Sequence, residues 1–233
     1  MPGKHIVGLG GGGFSMESSP VLDDYILGLA RSERPRICFV PTASGDNENY
    51  VVRFYRRFTN GSCQPTHLEL FRRSVRDLAE FARSQDVIYV GGGNVANLLA
   101  VWKLHGFDSA VRAAYDNGTV LAGISAGSLC WFQCGVTDSM GDPELSSIDC
   151  LGLIAGSHCP HFDGEAARRP AYSRLVRGGM PPGLAADDGV ALHFVDGALH
   201  RVVSSRPSAR AYRVELRGHD VVETPIEPDL LAP

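Results

Sequence analysis

The chain has 233 residues, 44% of them hydrophobic, which is enough to bury a large core, and its length suits a single α/β domain over residues 1–233. With 22 basic and 26 acidic residues, a formal net charge of −4 and no run of like charge, nothing in the balance recruits nucleic acid or an anionic membrane. No apolar run reaches the length of a membrane span and the N-terminal apolar segment is too short and glycine-rich for a signal peptide, so a cytoplasmic location is expected.

Short apolar or β-branched runs alternate with helical stretches, the pattern of a mostly parallel sheet with helices on both faces. Strands are expected at His5–Leu9, Ile37–Pro41, His67–Phe71, Val87–Val90 and Val120–Ile124. Helices fill Pro20–Ala30, Tyr50–Asn60, Val75–Arg83, Asn94–His105, Phe107–Asn117 and Ala126–Cys134. After Cys150 the periodicity weakens. Gly189–Val195, Leu199–Val203 and Ala211–Leu216 then alternate like antiparallel strands that extend the same sheet, and the tail from Thr224 reads as extended and loosely held.

Gly8-Leu9-Gly10-Gly11-Gly12-Gly13 follows a strand and satisfies G-x-G-x-x-G, so dinucleotide binding must be weighed. That use also wants an acid at the end of the second strand, where this chain has Val40-Pro41-Thr42-Ala43. The pattern argues against a nucleotide. The six cysteines, Cys38, Cys63, Cys130, Cys134, Cys150 and Cys159, contain no C-x-x-C and read as buried thiols. Cys130 and Cys134 are two ligands at most, so neither metal nor cofactor is expected.

Chemistry concentrates where the strand Val120–Ile124 meets a helix, in Gly123-Ile124-Ser125-Ala126-Gly127. A G-x-S-x-G turn can hold a serine hydroxyl above the carboxyl edge of a sheet, with the amide of the next residue, Ala126, aimed at a developing oxyanion. A second junction, Gly91-Gly92-Gly93-Asn94, lets backbone amides approach a ligand closely; it is equally a tight turn with Asn94 as the N-cap of the following helix. A serine needs a base. His5 and His67 fall in strands, His105 closes a helix and His219 lies in a late polar turn, whereas His158 and His161 of "GSHCPHFD" follow an apolar stretch on a loop; His193 is held in reserve.

"YVGGGNVANLL", "GISAGS" and "PHFD", in that order, resemble the S51 serine peptidases, the family of peptidase E and cyanophycinase, over roughly residues 35 to 205. The resemblance implies a fold like that of the class I glutamine amidotransferases and hydrolysis of short peptides, in particular dipeptides with N-terminal aspartate. It implies Ser125 as nucleophile, His161 as general base, and Gly92, Gly93 and Ala126 as oxyanion donors. The third member stays open between Asp138 of "GVTDSM" and Asp188 of "AADDGVAL", with a preference for Asp188. Peptidase E's arginine shortly after the nucleophile has no counterpart in Trp131–Gly135, and Arg168, Arg169 and Arg174 are the substitutes available for a substrate carboxylate. The partner expected is a short peptide substrate, and the chain is expected to be a monomer or homodimer. The alternative is a non-catalytic protein of the same fold that binds a small molecule or partner in the cleft.

Overall fold

The computed structural model describes residues 3–141 and 144–232. In chain order the elements are β1 (His5–Leu9), α1 (Gly13–Met16), α2 (Val21–Leu27), β2 (Arg36–Val40), α3 (Glu48–Phe58), β3 (Gln64–His67), α4 (Leu78–Arg83), β4 (Val87–Val90), α5 (Val95–His105), α6 (Phe107–Asp116), β5 (Val120–Ile124), α7 (Ala126–Leu129), β6 (Phe132–Thr137), β7 (Ser146–Asp149), β8 (Ile154–Cys159), α8 (Arg168–Arg177), β9 (Gly183–Ala186), β10 (Val190–Val195), β11 (Ala198–Ser204), β12 (Ala211–Arg217), β13 (Asp220–Ile226) and β14 (Asp229–Leu230).

They form an eight-stranded sheet in the order β14-β11-β10-β1-β5-β4-β2-β3 and a six-stranded sheet in the order β13-β12-β9-β8-β6-β7. From β1 to β3 the larger sheet is parallel, and β10 adds to β1 antiparallel. Successive side chains of the parallel strands enter different cores. Ile6, Cys38, Val40, Ile88, Val90 and Leu121 pack with α5 to α7 through Leu98, Trp102 and Leu129. Val7, Ile37, Phe39, Val87, Tyr89 and Val120 pack with α1 to α3 through Phe14, Ile26 and Phe54. This two-residue alternation between two dry faces is why the central strands read as unbroken apolar runs. In the smaller sheet Val136, Cys159 and Ala185 pack under α8 with Tyr172 and Val176. Among the described residues no helix is long and apolar enough to cross a membrane.

Four expectations are corrected. The helix Ala126–Cys134 stops at Leu129 and the chain turns into β6, whose Val136 and Thr137 are β-branched and whose Gly135 lets Leu129 and the His158 carbonyl approach where a Cβ would stand. The strand expected at His67–Phe71 is β3, ending at His67, because Asp46 Oδ2 accepts the amides of Leu70 and Phe71 and takes them out of any ladder. The late strands do not all extend one sheet: β10 and β11 join the large sheet, while β12 pairs with β9 and β13 in the small one. The tail is not loose, since Thr224–Ile226 lie in β13 and β14 pairs with β11.

Candidate active site

The site lies at the seam between the sheets, beyond the carboxyl ends of β1, β5 and β8, where parallel sheets place ligands. Ser125 follows β5 with φ 57 and ψ −119, a conformation that costs a non-glycine residue about 1–3 kcal/mol. Its neighbours enforce the turn. A Cβ on Gly123 would stand 2.0 Å from the Gly127 carbonyl oxygen, and one on Gly127 would stand 2.2 Å from that of Val90, so the two glycines let the helix start directly on the strands. Ser125 N donates to Leu9 O (3.2 Å) and Ser125 O accepts from Ser128 N and Leu129 N. The side chain stays half-buried at the rim, and Ala126 N–H begins α7 without an intrahelical acceptor.

His161 follows β8 of the smaller sheet, also at positive φ (53°), and its amide donates to Gly10 O at 3.0 Å. Serine and histidine are thus anchored to the consecutive carbonyls of Leu9 and Gly10. His161 Nδ1 lies 2.6 Å from Asp188 Oδ1. A carboxylate can only accept, so Nδ1 carries the proton and Nε2 is left as the basic nitrogen. The hydrogen bond from His161 holds the Asp188 carboxyl below the usual carboxylate range, against the opposing effect of burial. Asp188 occupies the crossing from β9 to β10. Its amide donates to Asp163 Oδ1 (2.8 Å), and Arg206 bridges the Asp188 carbonyl (2.9 Å) and Asp163 Oδ2 (3.1 Å). Among the described residues no hydrogen bond joins Ser125 Oγ to His161; such contacts are often loose in unliganded sites.

The other candidates separate. Asp138 is exposed and lines a small cavity with Gly93, Ser125, Ala126, Pro160 and Arg168, and among the described residues no hydrogen bond joins it to His161. Arg168 is 4% exposed and donates to Val136 O (3.0 Å) and Glu165 Oε2 (2.7 Å). Arg169 instead pairs with Glu223 and covers the Phe162 and Tyr212 rings, and Arg174 pairs with Glu144. Gly92 lies against Ser125, where a Cβ would stand 3.1 Å from the serine Cβ, but its amide donates to the Tyr50 hydroxyl at 3.3 Å. Asn94 does not join the site: Oδ1 accepts from Asn97 N as the cap of α5, and Nδ2 donates to Ser139 O.

His193 is hydrogen-bonded to His5 (2.9 Å) and Tyr25 (2.7 Å), in register with Val7 rather than with the end of β1. Nor is the glycine run a phosphate cradle, because Gly13 N donates to Glu17 Oε2 and the carbonyls of Ala186 and Asp187 crowd Gly10. A roomier cavity of about 610 Å³ beside Arg73, Arg76 and His105 shares no residue with the one at Ser125. Sequence reasoning missed Asp163 and Arg206. Asp163 was in view within "PHFD", whereas Arg206 carries no local signal.

The sequence profile of peptidase family S51 matches residues 6–202, so the protein is a peptidase. The chain belongs to family S51. It is 53% identical over 225 residues to the uncharacterized peptidase YgaJ of Bacillus subtilis (strain 168), covering 96% of this chain and 97% of that protein. It is 28% identical over 179 residues to peptidase E of Actinobacillus pleuropneumoniae serotype 5b, covering 71% and 74%. The fold is that of solved peptidases: one from an acI-B1 actinobacterium superposes with a TM-score of 0.74 at 17% identity, over 97% of this chain and 95% of that one. A putative peptidase E from Listeria monocytogenes EGD-e gives 0.58 at 17% identity, over 97% and 100%.

Proposed function

We propose that this peptidase is a serine hydrolase of short peptides that works through an acyl-enzyme, with Ser125 as nucleophile, His161 as general base and Asp188 as the group that orients the base. The observation that carries it is the anchoring of Ser125 N and His161 N to adjacent carbonyls of one strand end, with His161 Nδ1 on Asp188 at 2.6 Å. Ser125 Oγ attacks the scissile carbonyl while its proton passes to His161 Nε2; the amine leaves with that proton, and water then hydrolyses the ester by the same route. Gly93 and Ala126 line the cavity with Ser125 and Gly92 lies against its Cβ, so their amides, that of Gly92 once it leaves the Tyr50 hydroxyl, are assigned as donors to the developing oxyanion.

The cavity beside Ser125 is lined by one buried cation, Arg168, and one exposed anion, Asp138. That pairing suits a dipeptide with N-terminal aspartate, its side-chain carboxylate on the guanidinium and its free amine on Asp138. A non-catalytic binding role draws on a single feature, the absence of a Ser125–His161 hydrogen bond among the described residues. One experiment decides between them. A fluorophosphonate is expected to label Ser125, and Ser125→Ala is expected to lose about 10⁴-fold or more in Asp-Leu hydrolysis with an unchanged melting temperature. Labelling elsewhere, or full turnover by the alanine variant, removes the proposal.

A further inference from the structure

The glycine run Gly10–Gly13 is not shaped as a phosphate cradle, yet it reaches the groups of the proposed reaction. Gly11 is buried and pairs with Asp188 as an isolated parallel bridge, with Gly189 N donating to Gly11 O at 3.0 Å. A Cβ on Gly11 would stand 2.0 Å from Asp188 Oδ1 and 3.0 Å from His161 Nδ1. From the other side, a Cβ on Gly164 would stand 2.4 Å from Asp188 Oδ2. Neither glycine has a positive φ, so the backbone of each would accept alanine, and only the space is reserved.

We propose that Gly11 and Gly164 are positioning residues for the hydrolytic reaction: together they form a slot one carboxylate wide that holds Asp188 on His161 Nδ1. The inference rests on the Ser125–His161–Asp188 reading above. The atoms in conflict decide what alanine would do. At Gly11 the nearest obstacle is the end of a short side chain rather than backbone, so the carboxylate can swing away and relieve the clash. The fold then survives and the His161–Asp188 bond does not. Asp163 and Arg206 hold only the backbone of Asp188 and cannot restore its carboxylate.

The test uses the full chain with Asp-Leu as substrate and a fluorophosphonate as an activity-independent probe of Ser125. Gly11→Ala is expected to lower kcat and the labelling rate about 10²-fold, the scale of an ångström-sized misplacement, with KM within about twofold and the melting temperature unchanged. The low-field proton resonance of the imidazole Nδ1–H on its carboxylate is expected to vanish. In an Asp188→Asn background the same change is expected to add less than about twofold, because the contact it breaks is already altered.

Wild-type kcat with the resonance intact, or a loss that multiplies fully with that of Asp188→Asn, overturns the proposal. Gly164→Ala, on an exposed loop, tests the Oδ2 side should Gly11→Ala fail to fold, with the same expected kcat loss and the same overturning result. Full activity in Ser125→Ala would instead sink the underlying reading, a separate and separately visible failure.

Discussion

Among the described residues a buried serine–histidine couple sits beside the proposed catalytic one, offset by three residues in both members, and the two differ in access and in the group behind the histidine. In the first, Ser128 Oγ lies 2.9 Å from His158 Nε2, and His158 Nδ1 lies 2.9 Å from Leu184 O. Both side chains are fully buried, the imidazole stacks on Phe132 at 4.4 Å, and burial pushes His158 down to about 4. In the second, Ser125 and His161 sit at the rim at positive φ and the partner of the imidazole Nδ1 is a carboxylate. The buried couple has the serine–histidine hydrogen bond and the poorer prospects. A neutral carbonyl does little to stabilise the imidazolium that proton abstraction would create, and no substrate reaches Ser128. On the mechanism proposed above, reactivity follows access and the charge behind the histidine, not the closeness of serine to histidine.

The largest effect should come from erasing that charge. Asp188→Asn offers His161 Nδ1 an amide, a neutral partner like the one His158 has. It can present either its oxygen or its NH₂, so the tautomer is no longer fixed. The expected loss in kcat is about 10³- to 10⁴-fold, with little change in stability. Steady-state kinetics on Asp-Leu measure it. A loss below tenfold would mean that the carboxylate is no part of the difference between the two couples. The same loss from Asp138→Asn, without one at Asp188, would move the orienting role to the other candidate.

How far this contrast could be read from the chain depends on which contacts are local. Val87–Val90 and Val120–Ile124 were legible to the residue because both faces are buried and the apolar run is unbroken. Leu129-Cys130-Trp131-Phe132 fits either period, and pairing with β7 and β8 makes a strand of Phe132–Thr137. β8 and β9, rich in small and polar residues, were silent for the same reason: Gly183 is where it is because Ser157 O occupies the space of a Cβ. Ser125 stood out through its turn, whereas His161 was separated from His158 only by the resemblance to the S51 peptidases. The choice between Asp138 and Asp188 was not legible, since it hangs on the crossing from β9 to β10, a contact between sheets that no local pattern encodes.

The buried couple should contribute to the acid response instead, alongside His193, which burial likewise pushes down to about 4. His158 stays neutral in the folded chain down to about pH 4, while in the unfolded chain it takes a proton near 6.5. Between those values the unfolded state binds more protons, so this contribution to stability is complete above pH 6.5 and fades as the pH falls toward 4. The shift corresponds to about 3 kcal/mol. His158→Gln keeps polar atoms at the site and cannot titrate, so its stability, measured by denaturant unfolding from pH 7 to 4, should fall less steeply than that of the wild type. Parallel curves would show that the imidazole is not held neutral by burial.

The smallest effect sharpens the contrast most. Ser128 donates its only hydroxyl proton to His158 Nε2, because the His158 proton is already committed to the Leu184 carbonyl. Ser128→Ala removes that donor and leaves a buried ring nitrogen without a partner, a loss of about 1–3 kcal/mol of stability. Hydrolysis and fluorophosphonate labelling, referred to folded protein, should stay within about twofold of wild type, because Ser125 keeps its own turn, whose carbonyl accepts from the residue-128 amide whichever side chain is there. A hundredfold loss of turnover at full stability would mean that the two couples are wired together, with the buried serine taking part in the chemistry at the rim.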